Sequence, residues 1–508
     1  MHRVFGFFLF VLVCHIESDT PTSENCPAQY LPEDFTTLPP VLAQALRDFQ
    51  QLLASQLNST SLPGIGFAIT YRGKAIFDGG LGVLNKKTTK SPSSFTIFRL
   101  GSVTKVFVAI MAYQMMERGQ IKSLDDPFQV YAPDFDVKNP FGNSKITIRQ
   151  MLSQLSGLPR EAPCLYGSIS TCNSTTAEIY DNLKNESLIF PPWVVPSYSN
   201  LGFALLGNGL AAYLNTTFED YVQKNILEPL NMGQTGFTFT SSVTKEMATG
   251  YNVDGTIAPL TNLNWLSPAG QMYSSPRAMA ILMGLFTSGY DVNLINDSST
   301  PDAYAKVLSP ETVRQMSLPV YLNADGVTMF GTPWEMRYQN NYTVCSKGGN
   351  VLGYSTLFSF VSQLKLGVTV FWSGAIDELN ASAQIYNILL PALTSALAQN
   401  QPDIGYPTNA PMYGGTYKAS IGPLEAQISV IEEFKHVVIS LLGINTYLWF
   451  NSATEAKVFI PPDLQSCMIT ELEAYQFERV YFSLDASGSK VLSFTFPGLV
   501  YGTSFVRV

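Results

Sequence analysis

The sequence predicts a mixed α/β core followed by a small, separate β-rich domain. Three observations carry this. Up to about residue 399, strand-like runs are interspersed with apolar helical patterns. Near residue 400, prolines and glycines cluster. Beyond them come only short runs rich in Val, Ile, Phe and Tyr, with little helical periodicity.

The elements follow in order. Leu42, Ala45, Leu46, Phe49, Leu52 and Leu53 recur at helical spacing, which predicts an amphipathic helix over about 40–57. Residues 64–70 (GIGFAIT) and 74–77 flank Arg72-Gly73 and read as a β-hairpin. Phe98-Arg99-Leu100-Gly101 runs into Ser102. Residues 106–116 (VFVAIMAYQMM) are almost continuously apolar and stop at Gly119, which predicts a helix buried on nearly all sides. From about 120 to 275, helical patterns mix with long loops. Strands return between Ser346 and Ser373, and 377–399 reads as a closing helix. Pro402, Pro407, Pro411 and Gly414-Gly415 mark 399–413 as a linker, and 414–508 as a small sheet or barrel.

Only 14% of the 508 residues are charged and 46% are hydrophobic, where about 25% charged is usual. That composition supplies a large core and excludes a disordered chain. The net charge is −9 and no dense Lys/Arg run appears, which argues against nucleic acid as a partner. Arg3, the apolar stretch 4–14 and Ile16-Glu17-Ser18 read as a signal peptide over 1–18, cleaved before Asp19. An uncleaved anchor is the alternative, but this stretch is short of the roughly 20 residues a span needs. Residues 19–40 form a polar, Pro-rich leader. Sequons at Asn58, Asn173, Asn185, Asn215, Asn296, Asn341 and Asn380 point to a secreted, extracellular glycoprotein with no membrane partner after cleavage.

Cys164 and Cys172 flank a short polar loop and are expected to pair in an oxidising compartment. Cys26 with Cys467 is a second pairing, which leaves Cys345 free. No CxxC is present, which argues against cysteine-type zinc and redox sites. Of three histidines, His2 and His15 lie in the signal and His436 sits in a strand-like stretch. One histidine makes no multi-His metal site, and His436 reads as structural. Nucleophilic chemistry in this chain therefore needs Lys or Tyr as base, and no metal or cofactor is called for.

Ser102-Val103-Thr104-Lys105 is an S-x-x-K. Its i, i+3 spacing puts both side chains on one helix face, where a neutral lysine takes the serine proton. Burial at a helix N-terminus favours the neutral amine. The tetrapeptide recurs at Ser242, Ser362 and Ser487, but only Ser102 opens a long apolar helix. Tyr198-Ser199-Asn200 is a Y-x-N ahead of an apolar helix, a pattern also present at Tyr180, Tyr213, Tyr321 and Tyr338. Lys347-Gly348-Gly349 starts a strand, and its glycines permit close backbone approach; an exposed edge-strand lysine is the plainer reading.

The order S-x-x-K, Y-x-N, K-x-G resembles that of the serine penicillin-recognising enzymes. FRLGSVTKVF, LDDPFQVYAPDF, ITIRQMLSQLSGLP, PSYSNLGFALLGNGL, EPLNMGQTGF, SPAGQMYSS and SKGGNVLGYST extend the resemblance, over about 40–398, to the β-lactamase-related family nearest class C. It implies an α/β (α+β) fold of the β-lactamase/transpeptidase type. In that fold an antiparallel sheet is flanked by helices, with an α-helical insertion over about 120–275, and a small all-β C-terminal domain would follow. The resemblance also implies roles. Ser102 is the nucleophile, Lys105 its base and Tyr198 a second base and proton donor. Asn200 holds substrate amides, and Lys347 a substrate carboxylate. The backbone N–H groups of Ser102 and Asn350, beside Gly349, form the oxyanion hole. The reaction is acyl transfer to Ser102 and hydrolysis of an amide, ester or β-lactam, peptidase- or esterase-like, on a small molecule or peptide. The alternative is a catalytically silent binding or scaffold protein of the same fold. Three departures stand out: relatives often carry His where Lys347 stands, Gln154 replaces a common His, and no class A-type deacylating Glu is recognisable.

Overall fold

The computed structural model describes Tyr30, Phe35 and residues 37–60, 62–164, 167–168, 171–288, 302–399, 405–441, 444–459, 478–498 and 503–508. The signal segment 1–18, most of the leader, Cys26, Cys467, Asn296 and the Asn58 side chain lie outside these residues. The chain divides into two compact units, Tyr30–Gln401 and Pro402–Val508.

Among the described residues of the first unit, eight strands form one antiparallel sheet. Their order is Lys74–Gly82, Gly64–Tyr71, Leu366–Trp372, Tyr354–Val361, Tyr342–Val351, Glu335–Gln339, Thr328–Phe330 and Tyr321–Leu322. Gly64–Tyr71, Tyr354–Val361 and Leu366–Trp372 are buried at every position, because helices cover both faces. On one face, Phe67, Val368, Val370 and Trp372 pack with Leu46, Phe49, Leu389 and Leu393 of helices Pro40–Thr60 and Glu378–Gln399. On the other, Phe358, Phe360 and Phe371 pack with residues of helices Thr104–Glu117, Asn200–Tyr213 and Pro276–Ser288. Alternate strand residues thus feed two separate cores, as the two-residue side-chain period requires.

The helix expected at about 40–57 runs on to Thr60. The closing helix starts at Glu378 instead of Asp377, because Asp377 is its cap: Asp377 Oδ1 accepts the Asn380 N–H at 3.0 Å. The expected buried helix is Thr104–Glu117, and every residue from Thr104 to Met115 in it is buried.

Cys164 and Cys172 form a disulfide, and Cys345 is a free, buried thiol. The bridge spans a separation of 8 residues. Removing it in a Cys164→Ala/Cys172→Ala double variant should lower unfolding stability by about 2–3 kcal/mol, read as an earlier urea midpoint. An unchanged midpoint would contradict that value.

Among the described residues of the second unit, eight strands form a closed antiparallel barrel, in chain order from Gly415–Ala419 to Ser504–Arg507. Its closure is the pairing of Tyr417 with Arg507. Phe450, Phe482, Phe494 and Phe505 fill its interior. The segment 399–413 is not all linker: Ala410 and Tyr413 are fully buried in the barrel core, and the Tyr413 hydroxyl donates to Ala453 O at 2.8 Å. Proline and glycine density marked a boundary there, but it says nothing of which aromatic neighbours anchor inward. His436 packs edge to face on Tyr447 within the barrel.

Candidate active site

Ser102 lies in a single 3₁₀ turn, Gly101–Val103, that feeds directly into helix Thr104–Glu117. Gly101 has φ +51°, in the left-handed region that favours glycine. Lys105 follows one turn later on the same face. Its Nζ is 3.0 Å from Ser102 Oγ, 2.8 Å from Asn200 Oδ1 and 2.7 Å from Ala269 O. The side chain is completely buried.

Tyr198 comes from the loop entering helix Asn200–Tyr213. Its hydroxyl donates to Ser102 Oγ at 2.6 Å. Gln154, buried and at φ +64°, clamps this loop on both sides of Tyr198: its Oε1 accepts the Ser199 N–H at 2.7 Å and its carbonyl accepts the Ser197 N–H at 2.8 Å. Ser199 caps the helix through the Gly202 N–H. The residue that departs from the family pattern thus holds the phenol in place.

Three cations surround the Tyr198 ring. Lys105, Arg160 and Lys347 lie 4.9, 5.0 and 5.3 Å from its centroid. Burial opposes ionisation of the phenol, but the Lys105 and Lys347 charges outweigh it and hold Tyr198 below the usual tyrosine value. Burial, aided by the Lys347 charge, pulls the Lys105 ammonium below the usual lysine value. As placed, Ser102 Oγ accepts from both neighbours. It can lose its own proton only when one of them is a free base, and the electrostatics favour that state.

Strand Tyr342–Val351 forms the other wall. A Cβ on Gly349 would stand 2.1 Å from Leu100 O and 3.0 Å from Ser102 N, and one on Gly101 would stand 3.0 Å from Asn350 N. The two glycines let the backbones of Ser102 and Asn350 meet. Lys347 is buried, and its Nζ lies 2.5 Å from Glu335 Oε1. Burial opposes its charge, but Glu335 and Tyr198 outweigh this and hold Lys347 above the usual lysine value. Asn350 Nδ2 donates to both carboxylate oxygens of Glu378, at 2.8 and 2.7 Å. Asn200 is engaged at both ends: its Oδ1 takes Lys105, and its Nδ2 donates to Glu161 at 2.9 Å. The amide that the family resemblance gave to substrate is committed within the protein.

Ser102, Tyr198, Asn200, Lys347 and Asn350 line one cavity of about 500 Å³, with Leu263, Leu266, Val351, Leu352 and Leu379 as its apolar surface, and Lys105 and Gly349 stand directly behind it. The structure thus brings Ser102, Lys105, Tyr198, Asn200, Lys347, Gly349 and Asn350 together. The other S-x-x-K serines are elsewhere: Ser242 is on the exposed helix Ser241–Glu246, Ser362 in a turn between strands, and Ser487 in an exposed loop. Sequence reasoning missed Arg160, Glu161, Glu335 and Glu378. None belongs to a motif. Only Arg160 and Glu161, just past LSGLP, had a local signal.

The site is a Ser–Lys–Tyr cluster without histidine at the head of an apolar helix, walled by an antiparallel strand, with its lysine fully buried and its serine and tyrosine facing the cavity. The Beta-lactamase family profile matches residues 47–392, and the chain belongs to that family, whose members are usually serine hydrolases. A human beta-lactamase-like 1 protein is 32% identical over 401 residues, covering 77% of this chain and 77% of its own length. Beta-lactamase-like protein 4 of Dictyostelium discoideum is 31% identical, covering 74% and 68%. Among solved structures, the octameric penicillin-binding protein homologue of Pyrococcus abyssi has a TM-score of 0.58 at 20% identity, covering 91% of this chain and all of that one. A class C beta-lactamase of Rhodobacter sphaeroides has a TM-score of 0.55 at 19% identity, covering 70% and 99%. At these identities the two structures are likenesses of fold.

Proposed function

We propose that this chain is a serine hydrolase that forms an acyl-enzyme on Ser102 with an ester, amide or β-lactam. The observation that carries this reading is the double engagement of Ser102 Oγ, by Lys105 at 3.0 Å and by Tyr198 at 2.6 Å. Lys105 or Tyr198, as free base, takes the Ser102 proton while Oγ attacks the carbonyl. The developing oxyanion turns toward the Ser102 and Asn350 backbone N–H groups. The proton passes to the leaving group, and the same pair then activates water to release the acid. The test is turnover of phenyl acetate by wild type and Ser102→Ala. Loss of turnover in the variant, at an unchanged unfolding midpoint, supports the reading; equal turnover refutes it.

The pH profile carries a sign. The base must be deprotonated, so acylation rises with pH, and Lys105 below its ordinary value brings that rise below about pH 10.4. The Lys347 charge depresses both Lys105 and Tyr198. Lys347→Met should therefore move the rising limb to higher pH. A limb that stays put, or moves lower, contradicts the role given to Lys347.

The chain is also proposed to be a secreted glycoprotein. In support, the sequon asparagines Asn173, Asn185, Asn215, Asn341 and Asn380 are all exposed, and the Cys164–Cys172 bridge suits an oxidising compartment. No helix among the described residues is long and apolar enough to cross a membrane. Secretion from cultured cells, with a mass shift on deglycosylation and a new N-terminus near Asp19, tests this. An intracellular, unmodified chain overturns it.

A further inference from the structure

The Lys347 end of the cleft is ill suited to a substrate carboxylate. Lys347 Nζ spends one bond on Glu335 Oε1 at 2.5 Å and another on Gly348 O at 2.9 Å, and its side chain is only 3% exposed. Glu335 Oε2 also takes the Gly348 N–H at 3.2 Å, so the carboxylate is fixed against the lysine. The ammonium therefore meets the cavity already neutralised.

Next to it stands Glu378, the first residue of the closing helix, which also lines the cavity. Asn350 donates to both of its oxygens, and it forms no salt bridge among the described residues. It packs against a strand glycine: a Cβ on Gly348 would stand 2.5 Å from Glu378 Oε1. Arg160, which lies against the Tyr198 ring as Lys347 does, is paired with Glu161 at 3.3 Å. Both cations that line the cavity thus have a carboxylate partner, and one carboxylate remains over. Among the described residues no three His, Cys, Asp or Glu side chains are grouped to hold a metal ion.

We propose that Glu335 and Glu378 set substrate charge at this site, so that the cleft accepts an ester or amide bearing an ammonium group toward Lys347 and rejects one bearing a carboxylate there. The inference rests on the hydrolase reading. A substrate carboxylate at this end would stand beside Glu378 with no unpaired cation lining the solvent-open cavity to receive it, whereas an ammonium reverses the sign of that interaction. The chemical step is unchanged. Ser102 Oγ bonds to the acyl carbon, the acyl–oxygen or acyl–nitrogen bond breaks, and the amino-bearing alcohol or amine leaves with the proton that Ser102 gave up. Water then releases the acid.

The experiment compares kcat/KM for 3-(aminomethyl)phenyl acetate, phenyl acetate and 3-carboxyphenyl acetate, each normalised to its uncatalysed hydrolysis. At low salt the ammonium ester should exceed the carboxylate ester by roughly tenfold or more. The ratio should fall toward one as ionic strength rises. Glu378→Gln and Glu335→Gln should each reduce it. Glu335→Gln should also move the rising pH limb lower, because the Glu335 charge lifts both Lys105 and Tyr198. A purely structural role would leave that limb in place. A carboxylate ester that matches or beats the ammonium ester in wild type overturns the proposal while the hydrolase reading stands, and so does a ratio insensitive to salt. Phenyl acetate turnover that persists in Ser102→Ala removes the hydrolase reading and this inference with it.

Discussion

Lys105→Arg is expected to lower acylation of Ser102 by about 10³-fold or more, the loss that follows when a positioned general base is removed. The substitution keeps the positive charge and the capacity to donate. It removes the ability to give up a proton, since an arginine side chain stays charged at any working pH. Tyr198 touches the same oxygen, but its phenol is held below its usual value chiefly by Lys105 and Lys347. A fixed charge at residue 105 would leave Tyr198 as the only remaining base. Rates are to be read by stopped-flow with an activated ester, alongside the unfolding midpoint, because the larger guanidinium enters a fully buried site. Acylation at the wild-type rate in a folded variant would remove Lys105 from the mechanism.

Gly349→Val is expected to cost about 10²-fold or more in acylation, the scale of loss that a displacement of about 1 Å at a reacting centre brings. The first added carbon would stand 2.1 Å from Leu100 O, 2.9 Å from Val103 N and 3.0 Å from Ser102 N. All three are backbone atoms of the segment Leu100–Val103 that carries Ser102, and none can swing aside. Either the strand retreats and the Asn350 N–H leaves the site, or the Ser102 turn shifts away from Lys105 and Tyr198. The strain should also lower stability by about 1–3 kcal/mol. Gly348→Ala is the control. There the new carbon meets the Glu378 side chain, Oε1 at 2.5 Å and Cγ at 2.6 Å, and no backbone atom stands nearer. Its effect on acylation should be much smaller. Equal losses in the two variants would mean that the approach of Gly349 to Ser102 has no special part in the chemistry.

The parts of this molecule that were legible in the sequence are those with a local cause. The apolar run after Ser102 can only be a buried helix, and the glycines after Lys347 permit an approach that no side chain allows. The scarcity of histidine directs attention to lysine and tyrosine before any fold is known. The position of Asp377 is a question of one residue, decided by capping. What stayed hidden depends on contacts far apart in the chain. Glu335 is an ordinary polar residue of a short strand until Lys347 of the neighbouring strand lies beside it. Glu378 is an ordinary first-turn acid until Gly348 gives it room against the sheet. Gln154 looked like a passive replacement, yet its left-handed backbone and its two bonds hold the Tyr198 loop. The barrel's claim on Tyr413 likewise comes from aromatic neighbours at residues 450 and 482.

The central claim is that Ser102 is an activated nucleophile, and intact-mass spectrometry after exposure to a fluorophosphonate, a reactive ester and a penicillin tests it most directly. Wild type and Ser102→Ala are treated in parallel at neutral pH. The account predicts a single covalent adduct on wild type with the fluorophosphonate, mapped to Ser102 and absent from the variant. Folded wild-type protein that gains no adduct from any of the three reagents, or an adduct that persists in Ser102→Ala, would contradict it.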